Sequence, residues 1–190
     1  MGAISPVPFA DESFMRKIEE QVVKPTINGL QKDKLPYKGF VFIGLIKVGD
    51  DPKVIEYNVR MGDPETEVVL PRLKNDLVEI FQAIADQTLN TITIDIDQRA
   101  ATTVMLVSGG YPESYEKGKV ITGLENVNDS IVFHAGAKNQ NDSIVTSGGR
   151  VMAITSFGDT YQQALKKSYQ TIQDVKFDKM YYRKDIGFDL

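Results

Sequence analysis

The segment Val54–Met61, VIEYNVRM, separates into two interleaved sets: Glu56, Asn58 and Arg60 at even positions, Ile55, Tyr57, Val59 and Met61 at odd ones. A period of two is that of a β-strand with one polar and one apolar face, so the run is expected to be half-buried. Side chains two apart on a strand point the same way, about 6.5 Å apart, so the oxygens of Glu56 and Asn58 are offered to one small space. A magnesium ion accepts such a pair, because it takes one or two carboxylate-type ligands and keeps positions for phosphate oxygens. Arg60, one step further on that face, carries a fork of donors suited to a phosphate or carboxylate. By spacing alone, the same face is more simply a solvated one with a Glu–Arg pair. Gly62 releases the strand, and Asp63-Pro64 reads as a helix start, an N-cap acceptor followed by proline at the first helical position.

The flanking sequence supplies elements for this strand to pack against. Met1–Pro8 reads as an extended lead-in. Asp11 or Ser13 is placed to cap a helix with Phe14, Ile18 and Val22 on one face, interrupted or restarted at Pro25 and ended at Asn28-Gly29. Tyr37–Val48 reads as an apolar strand that returns through Gly49-Asp50-Asp51-Pro52 into the organising strand as an antiparallel hairpin. Past Pro71, Asn75 or Asp76 caps a second helix with Leu77, Ile80, Phe81 and Ile84 on one face. The pattern changes near Ile96. From there short apolar runs at 101–107, 119–121, 131–135, 143–145 and 150–155 are divided by glycine-rich turns, which describes a compact β unit. A closing helix is signalled by the capping pair Thr160 and Gln163, with Tyr161, Ala164, Leu165, Ser168, Tyr169 and Ile172 facing inward.

Composition narrows the chemistry. Lys and Arg number 22 against 26 Asp and Glu, a net charge of −4 without the basic stripe that tracks a nucleic-acid backbone. Cysteine is absent and His134 is the only histidine, so thiolate nucleophiles, zinc–sulfur sites and paired-histidine constellations are excluded. In its apolar strand, His134 reads as a structural residue. No run approaches the roughly 18 consecutive apolar residues of a membrane span, and a cytoplasmic location is the default expectation. Gly109-Gly110 and Gly148-Gly149 read first as turns and second as backbone cradles for a phosphate, with Arg150 beside the second pair as a candidate for a ribose phosphate. Neither run fits a P-loop or a dinucleotide fingerprint.

The run Glu56-x-Asn58-x-Arg60-x-Gly62-Asp63-Pro64-Glu65 resembles the signature of the phosphoribosylamine–glycine ligase (glycinamide ribonucleotide synthetase) family of the ATP-grasp superfamily. So do, in order, MGAISPVP, KPTINGL, LPYKGFVFIGL, LPRLKNDL, SGGYPESYEKG, FHAGAK, SGGRV and FDKMYYRKDIG, so the likeness spans essentially the whole chain. Met61, where relatives more often carry phenylalanine, keeps a large apolar group. The family's amino-terminal domain and the part of the grasp that closes over ATP have no counterpart, so the chain looks like a carboxy-terminal fragment. The resemblance implies an α+β fold: residues 1–96 form the carboxy-terminal portion of an ATP-grasp domain, an antiparallel sheet with helices, and residues 97–190 a small β-rich domain with one closing helix. It implies that Glu56 and Asn58 hold magnesium or manganese on ATP phosphates, with Arg60 at the transferred phosphoryl group. Two carboxylates at a helix start oppose an anion, so Asp63 and Glu65 are expected to place an amino group of glycine or 5-phosphoribosylamine. The activity implied is ATP-dependent ligation in purine biosynthesis, with the missing amino-terminal half as partner and no nucleic acid or membrane. A non-catalytic module of the same fold, acting through a partner chain, is the alternative.

Overall fold

The computed structural model describes residues 1–190. In chain order its elements are β1 (Gly2–Ser5), α1 (Glu12–Ile18), α2 (Lys24–Lys32), β2 (Phe42–Val48), β3 (Asp51–Asn58), α3 (Thr66–Val69), α4 (Leu77–Asp86), β4 (Ala100–Ser108), β5 (Ser130–His134), β6 (Ala137–Gln140), β7 (Ser143–Thr146), β8 (Arg150–Gly158), α5 (Tyr161–Ile172) and β9 (Met180–Tyr181). No helix is long and apolar enough to cross a membrane. The chain forms two compact units, one of residues 1–5, 63–73 and 96–189, the other of residues 6–62, 74–95 and Leu190. It passes between them near Ile96 and also at 5/6, 62/63 and 73/74.

The first unit is built on an antiparallel sheet in the order β1-β4-β8-β5, with β9 pairing the end of β4. Every residue of β4 is buried, as are most of β8, which places this pair at the centre of the core. Helix α5 covers one face. Its Ser168 joins a buried row of hydroxyls that runs from Thr102 through Ser156 and Ser130 to Thr171, each within 2.8–3.4 Å of the next. On the other face Thr155 Oγ1 lies 3.0 Å from the Glu67 carbonyl of α3 and 2.9 Å from Thr103 Oγ1. A fully buried central pair therefore has both faces packed and its hydroxyls matched to partners, as burial requires. The lead-in is a strand, β1, paired with residues 101–104 of β4. The capping pair forms as expected: Gln163 N–H donates to Thr160 Oγ1, while Gln163 Oε1 reaches the Asp159 N–H. Ala164, Leu165, Ser168 and Ile172 are buried, with Thr171 added to the face, while Tyr161 and Tyr169 are only half-buried. His134 lies exposed on β5, an edge strand, and not within an apolar interior.

In the second unit Asp11 caps α1 through the Phe14 N–H at 2.8 Å; Phe14 on α1 is buried, as is Val22 in the turn that follows it. A π-helical turn at Glu19–Val23 carries the chain into α2, where Pro25 sits in the first turn. Asn28-Gly29 does not end the helix. It continues to Lys32 and stops where Lys34 adopts φ 54°, the left-handed conformation that terminates helices. Asp76, and not Asn75, caps α4. Asn75 instead holds the 93–95 segment through the Thr93 carbonyl and the Asp95 N–H. The hairpin β2–β3 forms with a tighter turn than expected, since Asp51 and Pro52 already pair with Val48 and Lys47. Both strands are shorter at the other end: β2 begins at Phe42, not Tyr37, so β3 has no partner beyond Asn58 and stops there instead of at Met61. The odd face of β3 is not half-buried. Ile55 is 64% exposed on a sheet of only two strands, and Val59, just past the end of β3, is 73% exposed and lines a trough of about 580 Å³ with Tyr57, Leu30, Leu35 and Val41.

Candidate functional site

The even face of β3 brings its first two polar residues together. Asn58 Nδ2 donates to Glu56 Oε1 at 2.9 Å on an exposed strand end, so the two head groups occupy one small space. Two features of the hairpin set this up. A register shift opposite Gly44/Leu45 leaves Ile55 as the extra residue between Val54 and Glu56. Gly44, directly across from Glu56, leaves room for its side chain: a Cβ there would meet Glu56 Cγ at 3.0 Å. Gly44 was not singled out in the sequence, although a glycine inside an apolar strand is a signal of close approach. Arg60 does not extend the face. It lies past the end of β3, and its Nη1 donates to the Met61 carbonyl at 3.1 Å. No group of three or more His, Asp or Glu side chains converges into a metal cage.

In the other unit, Asp63 does not cap a helix. The Asp63–Pro64 peptide is cis, and α3 begins at Thr66 with no side-chain cap. Its first N–H groups are taken by the carbonyls of Pro64 and Glu65. The Asp63 carboxylate is engaged elsewhere: Arg150 Nη1 lies 3.1 Å from Asp63 Oδ1 and 3.5 Å from its carbonyl oxygen. Asp63, expected to place a substrate amino group, and Arg150, expected to meet a ribose phosphate, are thus an ion pair. Glu65, half-buried, starts the turn. Glu67, which the sequence did not mark, has its Oε2 buried without a hydrogen-bond partner. Burial pushes its carboxyl above the usual range, Asp63 and Glu65 push the same way, and a hydrogen bond to its own backbone and the Arg150 charge oppose them.

The glycine pairs prove to be packing features. Gly149 lies against the ring of Tyr111, with which a Cβ would collide, and its carbonyl accepts from the Ser108 N–H at 2.8 Å. Of these glycines only Gly110 has a positive φ, 100°. The two loops therefore abut beside Arg150 with their carbonyls engaged, an arrangement unlike a ring of N–H groups facing one anion.

Two family models match the chain. Residues 1–66 match the family model described as "Phosphoribosylglycinamide synthetase, ATP-grasp (A) domain", which sets the class. Residues 101–189 match "Phosphoribosylglycinamide synthetase, C domain", and the chain belongs to the phosphoribosylglycinamide synthetase family. A phosphoribosylamine–glycine ligase of Chlorobaculum tepidum is 43% identical over 190 residues, taking in 98% of this chain and 45% of the relative. A bifunctional purine biosynthetic protein of Pichia angusta is 45% identical over 98% of this chain and 24% of its own length. The crystal structure of phosphoribosylamine–glycine ligase from Thermotoga maritima superposes with a TM-score of 0.82 at 33% identity, covering 97% of this chain and 46% of that one. At 16% identity, the urea carboxylase of Kluyveromyces lactis shares the fold with a TM-score of 0.70. The chain spans about half the length of the ligases that it matches.

Proposed function

We propose that this chain is the carboxy-terminal part of a phosphoribosylamine–glycine ligase and works together with the remainder of that enzyme. The observation that carries the reading is the convergence of Glu56 and Asn58, 2.9 Å apart, on an exposed strand end. Their donor set fits magnesium or manganese. One carboxylate and one amide oxygen are too few for a closed cage but enough for an ion that completes its shell with phosphate oxygens and water. A Glu56 carboxylate oxygen and Asn58 Oδ1 are the atoms that would hold such an ion. The bound ion supplies charge neutralisation on the ATP phosphates.

In the reaction proposed, a glycine carboxylate oxygen attacks the γ-phosphorus of ATP and ADP departs. The amino nitrogen of 5-phosphoribosylamine then attacks the carbonyl carbon of glycyl phosphate, phosphate leaves and the nitrogen loses a proton. Such chemistry rests on positioning and electrostatics. Arg60, on a bend beyond β3, is assigned to the transferred phosphoryl group. Asp63 and Glu65 are assigned to substrate amines, and Arg150 to the ribose phosphate, which would compete with Asp63 for the guanidinium. The exposed apolar surface that Tyr57 and Val59 line with Leu35 and Val41 supports cover by the rest of the enzyme, since apolar surface of this kind marks an interface. The test is a magnesium titration of activity in the completed enzyme with Glu56→Gln. A raised magnesium requirement supports the assignment, and wild-type dependence overturns it.

A further inference from the structure

Outside the β3 pair, the least compensated polar group in the molecule is the Glu67 carboxyl. Its Oε2 has neither solvent nor a hydrogen-bond partner, while its backbone is fixed, the carbonyl being held by Thr155. An ionised carboxylate left in that condition is costly, and the surroundings offer one remedy. Of the strands packed against α3, β1 and β4 carry no ionisable side chain and β8 carries only Arg150. On its own segment Glu67 faces Asp63 and Glu65, both of like charge. Arg72, one turn further on, is committed to the Asp97 and Arg99 carbonyls and to Ser5. Arg150 is therefore the cation that answers a charge on Glu67, and it is already held by Asp63 at 3.1 Å.

We propose that Glu67 is a positioning residue for Arg150: with Glu67 neutral the guanidinium stays on Asp63, and with Glu67 ionised it is drawn toward Glu67 and its charge is spent internally. One guanidinium then serves two carboxylates, and it attracts an external anion less strongly. The burial that raises Glu67's proton affinity puts this exchange above the ordinary glutamate range. The link from Arg150 to an anionic ligand rests on the function proposed above, whereas the Glu67–Arg150 exchange does not.

The test separates the two. NMR of the ligand-free 190-residue chain follows the Glu67 side-chain carboxyl carbon and the Arg150 guanidinium nitrogens from pH 4 to pH 8. The expected result is one shared midpoint above the usual glutamate value, with the Arg150 transition lost in Glu67→Gln. An ordinary Glu67 midpoint, or an Arg150 signal that ignores it, overturns the proposal. Sulfate, whose charge is constant over this range, is the anion probe. It should bind about fivefold more tightly at pH 5 than at pH 8 in the wild type, and equally at both in Glu67→Gln. An Arg150 signal unmoved by sulfate at either pH, with the shared midpoint intact, counts against Arg150 as an anion site and leaves the exchange standing.

Discussion

At the scale of single residues, the decisive comparison is between Glu56 and Glu67. Glu56 is exposed and keeps its oxygens available beside Asn58. Glu67 is half-buried, with its Oε2 out of solvent and without a hydrogen-bond partner. Their substitutions should therefore differ in kind. Glu56→Gln removes a ligand charge while keeping shape, and in the completed enzyme it should lower activity at limiting magnesium by about 100-fold or more, with little change in melting temperature. Glu67→Gln should act on stability. A carboxyl whose folded pKa is raised contributes stability that is fully present below the unfolded value of 4.5 and is lost as pH rises from there through the folded value. The Gln variant lacks that dependence, so thermal melts should show it gaining on the wild type between pH 4 and pH 8. A constant difference across that range would contradict the burial argument. The Glu56–Asn58 pair was legible because two residues apart on a strand is a local relation. The Asp63–Arg150 contact, 87 residues apart, was not legible, and each partner was assigned alone.

At the scale of elements, what could be read depended on whether its cause was local. The caps at Asp11, Asp76 and Thr160 stand where a short acceptor precedes an apolar period, and the structure forms all three. The ends of β2 and β3 were misplaced because a strand ends where its partner ends, which neither strand's own pattern records. In the same way β1 looked like a lead-in, since its partner β4 lies about a hundred residues on. Asp63-Pro64 carried the letters of a helix start, but Arg150 claims the carboxylate. The buried hydroxyl row gives the element-level prediction. Ser168 bonds both Ser156 and the Thr102 carbonyl, so Ser168→Ala leaves buried partners unsatisfied and should cost about 1–3 kcal/mol in denaturant unfolding. Loss below a few tenths would show that the row is not coupled to α5 packing.

At the scale of the whole molecule, the proposed division near Ile96 predicts that limited trypsin digestion cuts at Arg99, in the exposed stretch ahead of the buried β4. Cuts confined to the termini would count against it. The proposed dependence on the rest of the enzyme has a second consequence. ATP phosphates would meet Glu56, Asn58 and Arg60 as an open, hydrated face, where electrostatic attraction is weak and salt-screened. Calorimetry of the 190-residue chain with magnesium and ADP should give millimolar affinity or weaker, about −4 kcal/mol. The central claim is that this chain supplies the metal pair to a ligase site completed by the remainder of the enzyme. Its most direct test is phosphate release from ATP by the chain joined to the amino-terminal part of the Thermotoga maritima relative, assayed beside the same chimera carrying Glu56→Gln and beside the 190-residue chain alone. The account predicts release that requires both glycine and 5-phosphoribosylamine in the chimera, little in the variant at limiting magnesium, and none from the chain alone. Release by the chain alone, or equal release by the variant, would contradict it.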